Sequence, residues 1–426
     1  MKVLIVGGGG REHAIAVKIA ENPKVDKLYA APGNGGMAKL CECVPIKATD
    51  VNGMVAFARE KGIDFVVVAP DDPLCLGMVD ALATAGIRAF GPKKDAAILE
   101  GSKVFAKNLM KKYGIPTAAY ETFEDCDKAL KYLETAKYPI VVKADGLALG
   151  KGVLICENRA SAEEAVTEMM QGGKFGASGA RVVIEEFLTG PEVSVLAFTD
   201  GTVVRPLVSS MDHKRALDGD EGLNTGGMGT VAPNPFYTDE VARRCMEEIF
   251  LPTMRAMNAE GRAFRGCLYF GLMVTPDGPK VIEYNCRFGD PETQVVLPLL
   301  ESDLLTIMQA TAEGRLADVE VRFSKGAACC VVLASGGYPV SYKSGYPISG
   351  LEEAGTRAFV FHAGTKLEDG KTVTAGGRVL GVTATADTLS AAVGKAYAAA
   401  DCISFTDLHR RADIGKRALS ALNANR

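Results

Sequence analysis

The stretch Val281-Ile282-Glu283-Tyr284-Asn285-Cys286-Arg287-Phe288-Gly289-Asp290-Pro291-Glu292 decides how this chain is read. An extended chain repeats every two residues, so Glu283, Asn285 and Arg287 fall on one face and Ile282, Tyr284 and Cys286 on the other. A carboxylate and an amide oxygen side by side suit Mg²⁺, a hard cation that prefers oxygen ligands and keeps places for water and phosphate. Arg287, one step along the same face, is suited to hold a transferring phosphoryl group by charge-assisted hydrogen bonds. A lone strand of this pattern is more often half-buried with a solvated polar face. Its company shifts the balance: Lys143, the glycine-rich loop of residues 146–152 and the turn Asp290-Pro291-Glu292.

Outward from that strand, Asp277-Gly278 is a hairpin signal joining residues 267–274 to 280–285, and Asp200-Gly201 is another, after residues 192–198. Antiparallel pairing is expected here. A long helix is expected over residues 238–260, and a helix carrying Lys103, Phe105 and Leu109 should end near Gly114. Ser161-x-x-Glu164 matches a capping box. Lys143 closes the apolar run of residues 140–143, where a lysine reaching out to water is the ordinary case. The loop Asp145-Gly146-Leu147-Ala148-Leu149-Gly150-Lys151-Gly152 is not a Walker A loop. Three residues instead of four separate Gly146 from Gly150, and Gly152 stands where Ser or Thr belongs. Between two strands it fits a hairpin cover whose backbone and Lys151 close over a polyphosphate. Glu185-Glu186-Phe187-Leu188 followed by Glu192 offers an apolar, hydrogen-bonding edge for a purine and a carboxylate for ribose hydroxyls.

The first hundred residues alternate strand and helix, which indicates an open parallel sheet with right-handed crossovers. Residues 3–6 and 65–68 are short apolar runs, residues 88–90 a third strand, and Asp50 caps a helix with apolar positions at Val51, Met54, Val55 and Ala58. The dinucleotide fingerprint G-x-G-x-x-G fails in both registers: from Gly7 it meets Glu12, from Gly8 it meets His13. A glycine-led helix start still suits a phosphate, and a tight turn with no ligand is as good a reading. The last hundred residues form a small module of short strands and a helix from Leu389. The divisions expected are residues 1–102, 103–325 with a lid subdomain about 121–190, and 326–426.

At roughly 150 residues per domain, 426 residues make about three domains. Net charge is −4, from 48 basic and 52 acidic residues without a basic block, which argues against a nucleic-acid groove. Residues 3–6 are too short for a signal-peptide core or membrane span, so neither a membrane nor export is expected and the cytoplasm is. Eleven cysteines without a C-x-x-C and only four histidines read as reduced thiols, mostly buried.

These motifs together resemble the ATP-grasp ligases and, more narrowly, the phosphoribosylamine-glycine ligase family. The likeness is carried by Gly10-Arg11-Glu12-His13-Ala14, Ala31-Pro32-Gly33-Asn34, Glu100-Gly101-Ser102-Lys103, residues 143–153, Val183-Ile184-Glu185-Glu186-Phe187, Asp212-His213-Lys214-Arg215, Asn224-Thr225-Gly226-Gly227-Met228-Gly229, residues 283–292 and Val360-Phe361-His362-Ala363-Gly364-Thr365. The resemblance implies an α/β and α+β multidomain chain: a parallel-sheet N-terminal domain, ATP-grasp central domains and a small mixed C-terminal domain. It implies ATP between two antiparallel layers, with Lys103 and Lys143 at the phosphates and Gly150, Lys151 and Gly152 in the lid. Glu185, Glu186, Phe187 and Leu188 would lie beside adenine, and Glu192 at the ribose. Mg²⁺ or Mn²⁺ would sit on Glu283 and Asn285, and Arg287 and Lys151 would act in catalysis. Gly9, Gly10, Arg11, Glu12, Asp71, Asp212 and Asp290 would face glycine and 5-phosphoribosylamine. The implied reaction is an ATP-dependent carbon-nitrogen ligation through glycyl phosphate in purine biosynthesis, by a monomer. Two positions depart from the family: Asp71 stands for the usual glutamate, one methylene longer, and Pro191 for a common acid. The alternatives are another ATP-grasp carboxylate-amine ligase or carboxylase, a nicotinamide-dependent oxidoreductase, which the failed fingerprint disfavours, and a non-catalytic nucleotide-binding regulator.

Overall fold

The computed structural model describes residues 1–147, 152–173 and 176–424. Among them, the N-terminal strands form a five-stranded sheet, ordered Glu42–Cys43, Lys27–Pro32, Lys2–Gly7, Phe65–Val68, Ala89–Phe90, with every pair parallel. The run at residues 3–6 is continuously apolar because it is buried on both sides. Val3 and Ile5 pack with Ile15 and Ile19 of the helix Gly10–Ala20, whereas Leu4 and Val6 pack with Met54 and Phe57 of Val51–Lys61. Asp50 caps that second helix, accepting from Gly53 N at 2.9 Å. The strand order reverses between Lys2–Gly7 and Phe65–Val68, and a crevice at the carboxyl ends of such strands is where open parallel sheets bind ligands. The chain turns there through Gly8 to Glu12 and through Pro70-Asp71. The fingerprint fails, yet the place for a ligand exists.

The middle of the chain builds two antiparallel sheets. One is ordered Val204–Pro206, Glu192–Thr199, Gly266–Thr275, Gly278–Asn285; the other Tyr120–Phe123, Val182–Glu186, Ile140–Ala144, Val153–Cys156. The first is backed by the helical run from Asp239 to Ala259, whose Ile249, Phe250, Met254 and Met257 meet Val195, Phe270 and Tyr284. The second is covered by the helices Cys126–Leu133 and Arg159–Gln171. The expected capping box is displaced by one turn: Asn158, not Ser161, caps Arg159–Gln171, and Ser161 sits at the third helical position and bonds back. Asn is at least as good a cap as Ser, so the earlier start wins. The two layers are joined where Thr117 Oγ1 donates to Val281 O at 2.7 Å and Lys143 Nζ to Ile282 O at 3.1 Å.

Lys103–Tyr113 is capped by Ser102 and ends at Gly114, whose φ of 67° is open to glycine at little cost. The last sheet is ordered Met211–Asp212, Gly229–Ala232, Ala327–Ser335, Arg378–Ala386, Phe359–His362, with Leu408–His409 also on Ala327–Ser335. Two of its strands therefore come from residues 211–232, ahead of the C-terminal third. The loop between them, including Gly226 and Gly227, is thereby held against the C-terminal residues.

His13 and His362 meet where the first helix touches the last sheet. His362 N donates to His13 Nδ1 at 2.8 Å, which requires that ring nitrogen to be unprotonated. Burial, then the neighbouring His362 and Lys39 charges, push His13 down to about 3; burial and Lys39 push His362 down to about 4. Both rings fold neutral, while the unfolded chain takes up protons below about 6.5. Their contribution is thus intact above about pH 6.5 and is lost as pH falls toward the folded values. Unfolding free energies from urea titrations between about pH 7.5 and about pH 5 should fall, by up to about 1.4 kcal/mol per pH unit for each histidine. The slope should be shallower in His362→Asn, and identical slopes in the two proteins would reject this origin.

Candidate active site

The helix Lys103–Tyr113 places Lys103 and Lys107 four residues apart on one face, toward the seam between the two central sheets. Lys103 Nζ donates to Gly146 O at 2.7 Å. Lys107 and Lys143, both buried, converge on one oxygen of Glu185, at 3.1 and 3.0 Å from Oε2, while Glu185 Oε1 is buried without a partner. Lys143 is thus not a surface lysine. Burial, opposed in part by Glu185, pushes Lys107 down to about 8. The ladder ends at Glu186, so the peptide groups of Phe187 and Leu188 lie beyond it, with the Phe187 side chain exposed. Glu186 accepts from Ala119 N, and Glu192 pairs with Lys214 at 2.9 Å.

Facing these lysines is the strand Gly278–Asn285. A bulge at Ile282, where Gly271 pairs Glu283 and Leu272 pairs Val281, leaves Glu283 and Asn285 on one face, and Tyr284 goes into the core to bond Thr253. Among the described residues none donates a hydrogen bond to the Glu283 carboxylate. Burial works against its charge, but Lys214, Lys143, Lys103 and Arg287 hold it below the usual carboxylate range. An ionised carboxylate with free lone pairs beside an amide oxygen fits a divalent cation that takes its remaining ligands from water and phosphate. Among the described residues no group of three His, Cys, Asp or Glu does so instead.

Arg287 stands two residues past the strand, and its Nη2 lies 3.3 Å from Asn285 Oδ1 and 3.3 Å from Glu100 Oε1. Its Nε is buried with no partner. Asp71 starts the helix Asp71–Leu76 at the switch point of the parallel sheet. Burial opposes its ionisation, but Arg287 and then Arg11 outweigh that and bring it below the usual range. Arg11 in turn pairs with Glu12 at 2.5 Å and donates to Phe288 O at 3.0 Å, and Glu12 accepts from Gly9 N at 2.6 Å. A Cβ at Gly9 would stand 2.7 Å from Glu12 Oε2 and 3.2 Å from Asp290 Oδ2, and one at Gly10 2.5 Å from Gln294 Nε2, so glycine at both positions lets these side chains come close to the backbone.

Asp290 is held by Gln294 Nε2 at 2.8 Å and by Arg378 Nη2 at 3.6 Å. Arg378 also donates to Gly226 O at 2.6 Å and Asp290 O at 2.7 Å. Burial and then the Glu292 charge push Asp212 well above the usual range, and burial raises Glu292.

The structure therefore brings Lys103, Lys143, Glu185, Glu283, Asn285 and Arg287 to one seam, and Gly9, Gly10, Arg11, Glu12, Asp71 and Asp290 to its N-terminal end. Asp212 adjoins through Gly227, where a Cβ would meet both Asp212 Oδ1 and Pro291. Gly152 is described and buried, whereas Gly150 and Lys151 lie outside the described residues. Three groups had not been singled out from sequence: Lys107, Glu100 and Arg378. The i, i+4 spacing from Lys103 was a usable signal for the first.

Two antiparallel layers with lysines from one facing an acid-amide row on the other define the ATP-grasp class. Family models for the phosphoribosylglycinamide synthetase N domain, ATP-grasp (A) domain and C domain match residues 1–100, 101–293 and 328–417. The chain belongs to the phosphoribosylglycinamide synthetase family. It is 51% identical over 424 residues to a phosphoribosylamine-glycine ligase of Allochromatium vinosum, covering 99% of each. A crystal structure of the Thermotoga maritima phosphoribosylamine-glycine ligase superposes with a TM-score of 0.86 at 36% identity, covering 97% of this chain and 100% of that one. A Campylobacter jejuni biotin carboxylase, at 17% identity and TM-score 0.75 over 96% and 92% of the two chains, shares the fold.

Proposed function

We infer that this protein joins glycine to 5-phosphoribosylamine with ATP, giving glycinamide ribonucleotide, ADP and phosphate in purine biosynthesis. The observation that carries the reading is the row Glu283, Asn285 and Arg287 under Lys103 and Lys143, opening toward Gly9–Glu12 and Asp71 at the sheet's switch point. Glycine's carboxylate has no good leaving group. Its oxygen attacks the γ-phosphorus of ATP, the bond to ADP breaks, and glycyl phosphate forms. The amine of phosphoribosylamine then attacks the acyl carbon, the acyl C–O bond to phosphate breaks, and the amine proton is released. The protein's part is positioning and charge neutralisation.

Lys103 and Lys143 are assigned to the phosphates and the partnerless Nε of Arg287 to the transferring group. The peptide groups of Phe187 and Leu188, with Glu185 and Glu186, are assigned to adenine, and Glu192 to the ribose. Mg²⁺ or Mn²⁺ held by Glu283 and Asn285 would supply charge neutralisation at the phosphates. The loop through Gly150, Lys151 and Gly152, within a lid of about residues 121–190, is assigned to keep water from the acyl phosphate. Gly9, Gly10, Arg11, Glu12, Asp212 and Asp290 are assigned to the other two substrates. The protein is proposed to act as a monomer. All eleven cysteines are free, which fits a reducing cytoplasm, and no described helix is long and apolar enough to cross a membrane.

ADP release measured with ATP, glycine and fresh phosphoribosylamine, omitting each in turn, tests the reading; release that needs bicarbonate instead of glycine would overturn it. Asp71, held ionised between Arg287 and Arg11, is assigned to the ribosylamine despite its short side chain. Asp71→Ala should raise the KM for phosphoribosylamine about tenfold or more, the scale of a charge-assisted hydrogen bond, with the ATP KM little changed. Equal effects on the two would remove that role.

A further inference from the structure

We propose that Glu100 is a positioning residue for this reaction, fixing the guanidinium of Arg287 so that its free Nε meets the transferring phosphoryl group. The proposal rests on the role assigned above to Arg287.

Glu100 lies near the end of the helix Lys94–Gly101, outside the row on Gly278–Asn285, and is itself buried. It reaches across 186 residues of sequence to accept from Cys286 N at 2.6 Å through Oε2, and Arg287 Nη2 lies 3.3 Å from its Oε1. One carboxylate thus fixes both the backbone just before Arg287 and the head of its side chain. Arg287 needs such a hold. It stands past the last paired residue of the strand, and its other contacts are neutral oxygens, Asn285 Oδ1 at 3.3 Å and Phe288 O at 3.4 Å. Asp71, then Glu292 and Glu283, supply competing negative charge. A long side chain free to choose among these carboxylates would reach the reactive geometry only part of the time, and small misplacements are costly in catalysis.

The charged and titratable groups around Glu100 come from four further elements. They are Arg287 and Cys286 beyond the strand, Asp71 and Cys75 on Asp71–Leu76, Arg11 on Gly10–Ala20, and Lys103 on Lys103–Tyr113. Burial pushes Glu100 up to about 7, with Arg287 opposing and Asp71 adding to the rise. Protonation near neutrality would weaken its hold on Arg287 and give kcat an acid limb.

The test is steady-state ADP release by the full-length protein with Mg²⁺, ATP, glycine and fresh phosphoribosylamine. Wild type, Glu100→Gln, Arg287→Lys and the double variant are compared from about pH 6 to about pH 9. Glu100→Gln keeps the shape and an acceptor for Cys286 N but not the charge. Its kcat at the alkaline end should fall about tenfold or more, with the ATP KM within about twofold, and the acid limb should disappear. The double variant should be no slower than Arg287→Lys, because both changes act through one guanidinium. Wild-type kcat with an unchanged limb in Glu100→Gln, or additive losses in the double variant, would overturn the proposal. Near-normal turnover by Arg287→Lys and Glu100→Gln alike would instead remove the role of Arg287 itself, and this proposal with it. Should Glu100→Gln not fold, Glu100→Asp decides: a lowered kcat with the limb kept but displaced supports the clamp, and wild-type behaviour overturns it.

Discussion

Glu283→Ala should abolish metal-dependent ADP release, by about a thousandfold or more, in a protein that still folds. The two halves of that expectation have different origins. Activity should vanish because Glu283 is the one carboxylate in the row, and burial alone would favour its protonation. It stays ionised through Lys214, Lys143, Lys103 and Arg287. Without it the row has no carboxylate left to hold a divalent metal, because the acids that remain are engaged by the cations: Glu185 by Lys143, Glu192 by Lys214 and Glu100 by Arg287. The fold should survive because no described residue hydrogen-bonds to the carboxylate, so its removal orphans no buried donor. Tyr284 and Cys286, which carry this segment's packing, point the other way into the core. Glu283→Gln should fall between, keeping one oxygen donor and losing the charge, and should need more Mg²⁺ to reach half its own maximum. Turnover near the wild-type rate in Glu283→Ala would end the metal assignment.

The same segment shows what the sequence could reveal. The period of two at Glu283, Asn285 and Arg287 survives in the structure even though Ile282 bulges, since the bulge falls before the first of the three. The parallel N-terminal sheet was legible from two continuous apolar runs, because a strand buried on both faces has no polar alternation to obscure it. The cap of Arg159–Gln171 is ambiguous in the sequence because Asn158 and Ser161 are both good capping residues three positions apart. Glu100 stands out in the sequence only as part of a motif, and Arg378 not at all. Neither sits in a periodic pattern, and their partners lie 186 and 88 positions away. Contacts of that separation are set by how sheets stack and how loops return, which local spacing does not encode. Lys107 is the exception: it is one helical turn from Lys103, on the face that the seam buries.

Arg378→Ala should cost both stability and substrate affinity, and the second loss should be selective. Arg378 starts the long strand Arg378–Ala386 of the last sheet and reaches out of it to the Gly226 and Asp290 carbonyls and the Asp290 carboxylate. It is the cation that, against burial, does most to keep Asp290 ionised; Arg11 and Gln294 assist. Removing it leaves a partly buried carboxylate short of its main partner and two carbonyls without a donor, a loss of about 1 to 3 kcal/mol. Asp290 faces Gly9 at the end of the cleft away from Lys103 and Lys143. The KM values for glycine and phosphoribosylamine should therefore rise, while that for ATP stays near its wild-type value. Arg378→Lys separates charge from shape: a single ammonium can neutralise Asp290, but it cannot span both carbonyls and the carboxylate as a guanidinium does. It should recover part of the stability and little of the affinity. If Arg378→Ala melts with the wild type and binds all three substrates normally, the C-terminal sheet has no part in shaping this site.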